Sequence, residues 1–149
     1  MNRADVAAEL YRLYALREAG DVDGLLAALA PSATYHIVGD QAHCPSAGAY
    51  SGAELRSALE AACRLFKAGT FDITSMVIDG DQAAVRVRVL LTFAPTGETV
   101  ISELGHFWTL EDGRAVEIVE YHDSAMVAGL LRQVTPPAAQ GEFVAMGTA

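Results

Sequence analysis

The apolar positions Val6, Leu10, Leu13, Tyr14 and Leu16 recur with a helical period and predict a first helix with one buried stripe. Gly20 stops it. Asp21 then offers a cap to a short second helix carrying Leu25, Leu26 and Leu29, which Pro31 closes. Residues 33–38 read as a short strand, and the Gly-rich stretch 39–50 as a loop. Ser51 and Glu54 have the spacing of a capping box. The helix they start carries Leu55, Leu59, Ala62, Cys63 and Phe66 on one face and is expected to end at Gly69.

Beyond this point the period changes from 3.6 to 2. Strands are predicted at roughly 70–78, 83–93, 99–110 and 115–122, joined by the turns Asp79-Gly80-Asp81, Ala94-Pro95-Thr96-Gly97 and Glu111-Asp112-Gly113. Strands linked this tightly pair antiparallel. Asp123 caps a last short helix over 124–132. Residues 135–149, with Pro136-Pro137 and small side chains, are expected to be a loosely ordered tail on a single domain of residues 1–134. Helices first and a meander of long strands afterwards predict an α+β fold. In it a curved antiparallel β-sheet carries the N-terminal helices on its concave face, around a pocket.

Composition narrows the function classes. The chain has 149 residues, 52% of them apolar, enough for one full core. Its net charge of −9 argues against nucleic acid and anionic membrane surfaces as partners. No apolar stretch approaches the length of a membrane span, and no targeting segment is evident, so a cytoplasmic location is expected. Cys44 and Cys63 have neither metal-ligand spacing nor a disulfide framework, and the four histidines form no metal motif. Neither a metal nor a cofactor is implied.

The candidate chemistry lies in the strands. Alternation puts Arg86, Arg88 and Leu90 on one face of their strand, and Val85, Val87 and Val89 on the other. Glu103 shares a face with Ile101 and Phe107, and Glu120 and His122 share one with Val116 and Ile118. Charged groups at one end of apolar strand faces describe a pocket with a dry floor and a few convergent charges. The expectation is that Arg86, Arg88, Glu103, Glu120 and His122 meet in one cavity, with Tyr35 facing it and His36 facing away. Tyr14 belongs to the stripe of the first helix, where its hydroxyl needs a buried partner. Asp123 is first a helix cap and second a candidate proton carrier. The opposite face would then carry Val85, Val87, Leu104, His106, Trp108 and Val119, an apolar surface that predicts a homodimer.

The order of the elements, with Ala19-Gly20-Asp21, Ala33-Thr34-Tyr35, Tyr50-Ser51-Gly52, Leu110-Glu111-Asp112-Gly113-Arg114 and Glu120-Tyr121-His122-Asp123 as landmarks, resembles the NTF2-like superfamily and its SnoaL-like members over residues 5–132. That resemblance implies an α+β cone with one small-molecule site. In the limonene-epoxide-hydrolase-like branch, an Arg and two Asp activate water at positions near Arg86, Arg88 and Glu120. Arg88 replaces one of those Asp, so that device is incomplete here. In the ketosteroid-isomerase-like branch the base would fall at Ile37 and the oxyanion Asp near Gly105, while the Tyr falls within one residue of Tyr14. The broad SnoaL-like resemblance implies cofactor-independent acid–base chemistry on a small, mainly apolar substrate. Glu120 or Glu103 would be the acid or base, with His122 assisting, and Arg86, Arg88, Tyr35, Tyr14 and Asp123 contacting substrate. The rival reading is a ligand-binding or assembly module whose pocket charges are all mutually paired.

Overall fold

The computed structural model of the protein describes residues 1–134; the expected tail, 135–149, lies outside them. Helix α1 (Arg3–Glu18) starts at Asn2, whose side chain accepts the Asp5 N–H at 3.0 Å. It buries Val6, Leu10, Leu13 and Tyr14, the stripe that its periodicity predicts. Helix α2 (Val22–Ala28) is capped by Asp21, which accepts the Gly24 N–H at 2.8 Å. Strands β1 (Thr34–Ile37) and β2 (Gly48–Ser51) precede α3 (Gly52–Leu65). There follow β3 (Phe66–Asp79), β4 (Gln82–Phe93), β5 (Glu98–Glu111), β6 (Arg114–Tyr121) and α4 (Ser124–Val134).

The six strands form one sheet in the order β2-β1-β6-β5-β4-β3. Every neighbouring pair is antiparallel except β1 and β6, which run parallel. The helices pack on one face of this α+β fold, and two register shifts bend β3, between Ala68 and Phe71 and between Ile73 and Ser75.

Three local expectations change. Residues 48–51, read as loop and helix cap, form β2, because Tyr50 and Ala49 complete the ladder of Tyr35 and His36. Ser51 precedes α3 but makes no side-chain cap bond: Gly52, at φ +52°, turns the chain through the left-handed region. The helix ends at Leu65 rather than Gly69, and β3 begins at once with Phe66.

The β5–β6 hairpin decides which side chains look inward. Its tip is a two-residue turn with positive φ at Asp112 (47°) and Gly113 (81°), setting Glu111 opposite Arg114 and Leu110 opposite Ala115. The next pair is Thr109 with Glu117, so Val116 is one extra residue in β6. This bulge flips β6 by one position relative to the ideal hairpin. Ahead of it Ala115 points inward; beyond it Ile118 and Glu120 do, with His106 opposite Glu120 and Trp108 opposite Ile118.

Continuing across the sheet, His106 pairs with Val85 and Leu104 with Val87, so these stand on the inner face too. Arg88 pairs with Glu103 and Arg86 with Gly105 on the outer face. The surface expected to mediate dimerisation is therefore reassigned. Val85, Val87, His106 and Trp108 are buried inside, and Leu104 lines the cavity. Val119 pairs with exposed Phe107 on the outer face.

Candidate functional site

A cavity of about 160 Å³ lies between the helices and the inner face of the sheet. Leu13, Leu29, Leu59, Phe66, Leu91 and Ile118 give it mostly apolar walls. Its polar groups are few: Tyr14 and Arg17 from α1, Tyr35 from β1, Ser46, Ser102 and His106, then Glu120 and His122 at the end of β6.

Glu120 is the hub. Its Oε2 accepts hydrogen bonds from the Tyr35 hydroxyl and, at 3.0 Å, from His106 Nε2. On the other side of that ring, His106 Nδ1 lies 2.7 Å from the buried Tyr14 hydroxyl. An ionised carboxylate only accepts, so His106 Nε2 donates to Glu120; where the ring carries its single proton there, the Tyr14 O–H donates to Nδ1. The Tyr14 ring also meets Phe71, His106 and Trp108 with centroids 5.4, 5.6 and 5.9 Å apart, which fixes its place over the network.

On its second oxygen Glu120 meets His122, with Nδ1 at 3.2 Å from Oε1. The N–H is poorly aimed at that oxygen and forms no well-directed hydrogen bond, so we treat the pair as a charge contact. His122 Nε2 lies 3.5 Å from Cys44 Sγ, which is 3.3 Å from Ser46 Oγ. One continuous polar chain thus runs Tyr14–His106–Glu120–His122–Cys44–Ser46, with Tyr35 attached at Glu120.

Protonation follows from this packing. Burial opposes ionisation of Glu120, but His106 and His122 overcome it and hold the carboxyl well below the usual carboxylate range. Burial also opposes the charge on His122, yet the contacts with Cys44 and Glu120 push its pKa up to about 10. His122 is thus an imidazolium at neutral pH. Burial raises the Cys44 thiol, and the bonds from His122 and Ser46 outweigh it, for a net lowering. Burial keeps both Tyr14 and Tyr35 protonated, their pKa values raised above the ordinary phenol range.

The sequence-predicted residues divide. Glu120, His122, Tyr35 and Tyr14 line the cavity, and His36 faces out. Arg86, Arg88 and Glu103 do not: they are exposed on the outer face, where Arg86 Nη2 pairs with Glu103 Oε2 at 2.7 Å. The valines between the arginines fill the core instead, and the bulge at Val116 separates the inward parity of β6 from that of Glu103. Asp123 is exposed and caps α4, accepting the Met126 N–H at 2.9 Å.

Sequence reasoning missed His106, assigned to the outer face, and Cys44, given no role. It also missed Arg17 and Trp108 as cavity residues. Among the described residues no cluster of three or more His, Cys, Asp and Glu is arranged to hold a metal ion, and no helix is long and apolar enough to cross a membrane.

A six-stranded sheet and its helices around one mostly apolar cavity, with an ionised carboxylate and two imidazoles at one end, define a small-molecule pocket protein. More specifically, the chain belongs to the SnoaL-like domain family, whose model matches residues 10–118. Solved structures agree on the fold. An NTF2-like protein from Burkholderia xenovorans is 23% identical, with a TM-score of 0.73 over 87% of this chain and 98% of that one. TerC, co-crystallised with polyporic acid, is 18% identical, with a TM-score of 0.74 over 86% and 98%. A provisionally assigned SnoaL-like polyketide cyclase from Jannaschia is 19% identical, with a TM-score of 0.68 over 92% and 99%. Comparison with curated proteins gives no match.

Proposed function

We propose that the protein is an enzyme performing cofactor-independent general acid–base chemistry on a small, mainly apolar substrate with a carbonyl or similar group. Isomerisation, cyclisation, dehydration and hydrolysis all fall within this class. The observation that carries the reading is the line of carboxylate, imidazole and phenol formed by Glu120, His106 and Tyr14 at the polar end of the cavity.

Such a line moves protons without separating charge far. A substrate C–H beside Tyr14 gives its proton to the phenol oxygen as the phenol proton passes to His106 Nδ1. The imidazolium that forms is held by Glu120. Returning the proton along the same path to a neighbouring atom completes an isomerisation, and delivering it to a leaving hydroxyl gives dehydration. In this scheme Glu120 stays ionised throughout, in keeping with its lowered pKa. His122 is the counter-ion that keeps it so. Trp108 Nε1 lies beside the Tyr14 hydroxyl without a hydrogen bond of good geometry, and has no other partner among the described residues. It can therefore receive a substrate carbonyl oxygen.

A second reading has its own support. Glu120 is engaged by Tyr35, His106 and His122 at once, the mutual pairing expected of a non-catalytic ligand-binding module. Exchange of α-protons of small cyclic ketones with deuterated water, followed by NMR, separates the two. The enzyme reading expects acceleration by the wild-type protein, lost by roughly 10²–10⁴-fold in both Tyr14→Phe and Glu120→Gln. Glu103→Gln and Arg86→Ala, on the other face, should keep the full rate. Absence of acceleration across the ketones, or rates unaffected by both cavity substitutions, would favour the binding module.

We also propose that the protein is a homodimer, associating through the outer face of its sheet. Leu90, Ile101, Phe107 and Tyr121 are each more than half exposed there and support that contact.

A further inference from the structure

One charge of the cavity is left over when the network is counted. Among the described residues Glu120 is the only carboxylate on the wall, and it is matched by the His122 imidazolium. Arg17 also lines the wall, and its guanidinium is permanently charged with five N–H donors. Its one hydrogen bond among the described residues runs from Nη2 to the Phe66 carbonyl at 3.3 Å, and none of the ion pairs there includes it. The neighbouring acid, Glu18, accepts the Phe71 N–H and forms no ion pair with Arg17 among the described residues.

A second observation points into the same cavity. Phe71 pairs with Val89 and Val89 with Ser102, so these residues form one row across the sheet. The Glu18–Phe71 bond lays the end of α1 over that row. Ser102 is 2% exposed and lines the cavity, and its hydroxyl has no partner among the described residues. A buried hydroxyl without a partner is costly, and a half-buried guanidinium with free donors is a ready anchor.

Resting on the reading of this cavity as a small-molecule site, we propose that Arg17 is the anchor for an oxyanion, a carboxylate above all, on an otherwise apolar ligand, with Ser102 Oγ as a second polar contact. Glu120 and its partners hold the proton relay, while Arg17, whose charge also reaches the Tyr35 hydroxyl, takes the anionic group of the ligand. The apolar body of the ligand lies against the apolar walls. The volume of about 160 Å³ suits a body of about one ring.

Phenylacetate and its neutral counterpart phenylacetamide are suitable probes, titrated while following fluorescence of Trp108, the one tryptophan of the chain and a cavity residue. The wild-type protein should bind phenylacetate about ten-fold more tightly than the amide. Arg17→Met keeps an apolar stem in place, and should bring phenylacetate down to the affinity of the amide without changing amide binding. Arg17→Lys should keep most of the preference. Equal affinity for the two probes in the wild-type protein, or a preference that survives Arg17→Met, overturns the proposal while leaving the pocket reading intact. Binding of neither probe overturns both.

Discussion

Two titrating residues of the cavity, Glu120 and His122, give the protein a defined pH profile. Glu120 has a lowered pKa, so its contribution to stability is present above the ordinary carboxyl value of 4.5 and is lost as pH falls below it. His122 is raised from 6.5 to about 10, so its contribution is complete below pH 6.5 and is lost as pH climbs through about 10. The denaturant midpoint should therefore be highest between about pH 4.5 and 6.5 and fall on both sides. Glu120→Gln should flatten much of the alkaline fall, because His122 then loses the partner that keeps it charged. An alkaline limb as steep in Glu120→Gln as in the wild-type protein would show that another group causes it. At this scale the sequence announces Glu120, a polar residue on the apolar face of β6, and His122, just past its end. It gives no sign of Cys44, whose contact with His122 depends on the path of residues 39–47, nor of Arg17, one charged residue among several along a solvent-exposed helix.

At the scale of elements, hydrophobic periodicity places the helices and long strands within a few residues, because burial of one face imposes the period directly. Register is a different quantity. An ideal two-residue turn at Asp112-Gly113 would pair Glu120 with Gly105 and so put it on the same face as Glu103, which is the expectation the sequence supports. One extra residue, Val116, shifts the pairing to His106 and turns that expectation over for β4 and β5 together. No pattern in the run Ala115 to Ile118 announces the bulge: alanine, valine and isoleucine suit either face, and Glu117 falls on the side read as outer in both registers. Alternation in β4 was the better guide: three valines in the core and two arginines outside satisfy burial without stranding a charge. The strand β2 escapes periodicity altogether, being four residues long within a Gly-rich segment.

The whole molecule presents two faces of opposite use. The inner face is closed by helices around the cavity. The outer face carries Val77, Leu90, Ile101, Phe107 and Tyr121 around the Arg86–Glu103 pair. Sedimentation at micromolar concentration should give twice the chain mass, and Phe107→Glu should shift it toward the single-chain mass. A single-chain mass for the wild-type protein would remove the homodimer. Corrected in its residues, the surface argument rests on the same physics as the sequence expectation: large apolar side chains gathered on one side of a sheet. The central claim, however, concerns the inner face, where Glu120 and His122 form a buried ion pair beside the cavity. NMR titration of the four imidazoles tests it most directly, assigned by single His→Gln variants. The structure predicts that His122 stays protonated up to about pH 10 and that its midpoint drops in Glu120→Gln. If His122 instead titrates near 6.5 and ignores Glu120→Gln, the ion pair does not exist and the site built around it is wrong.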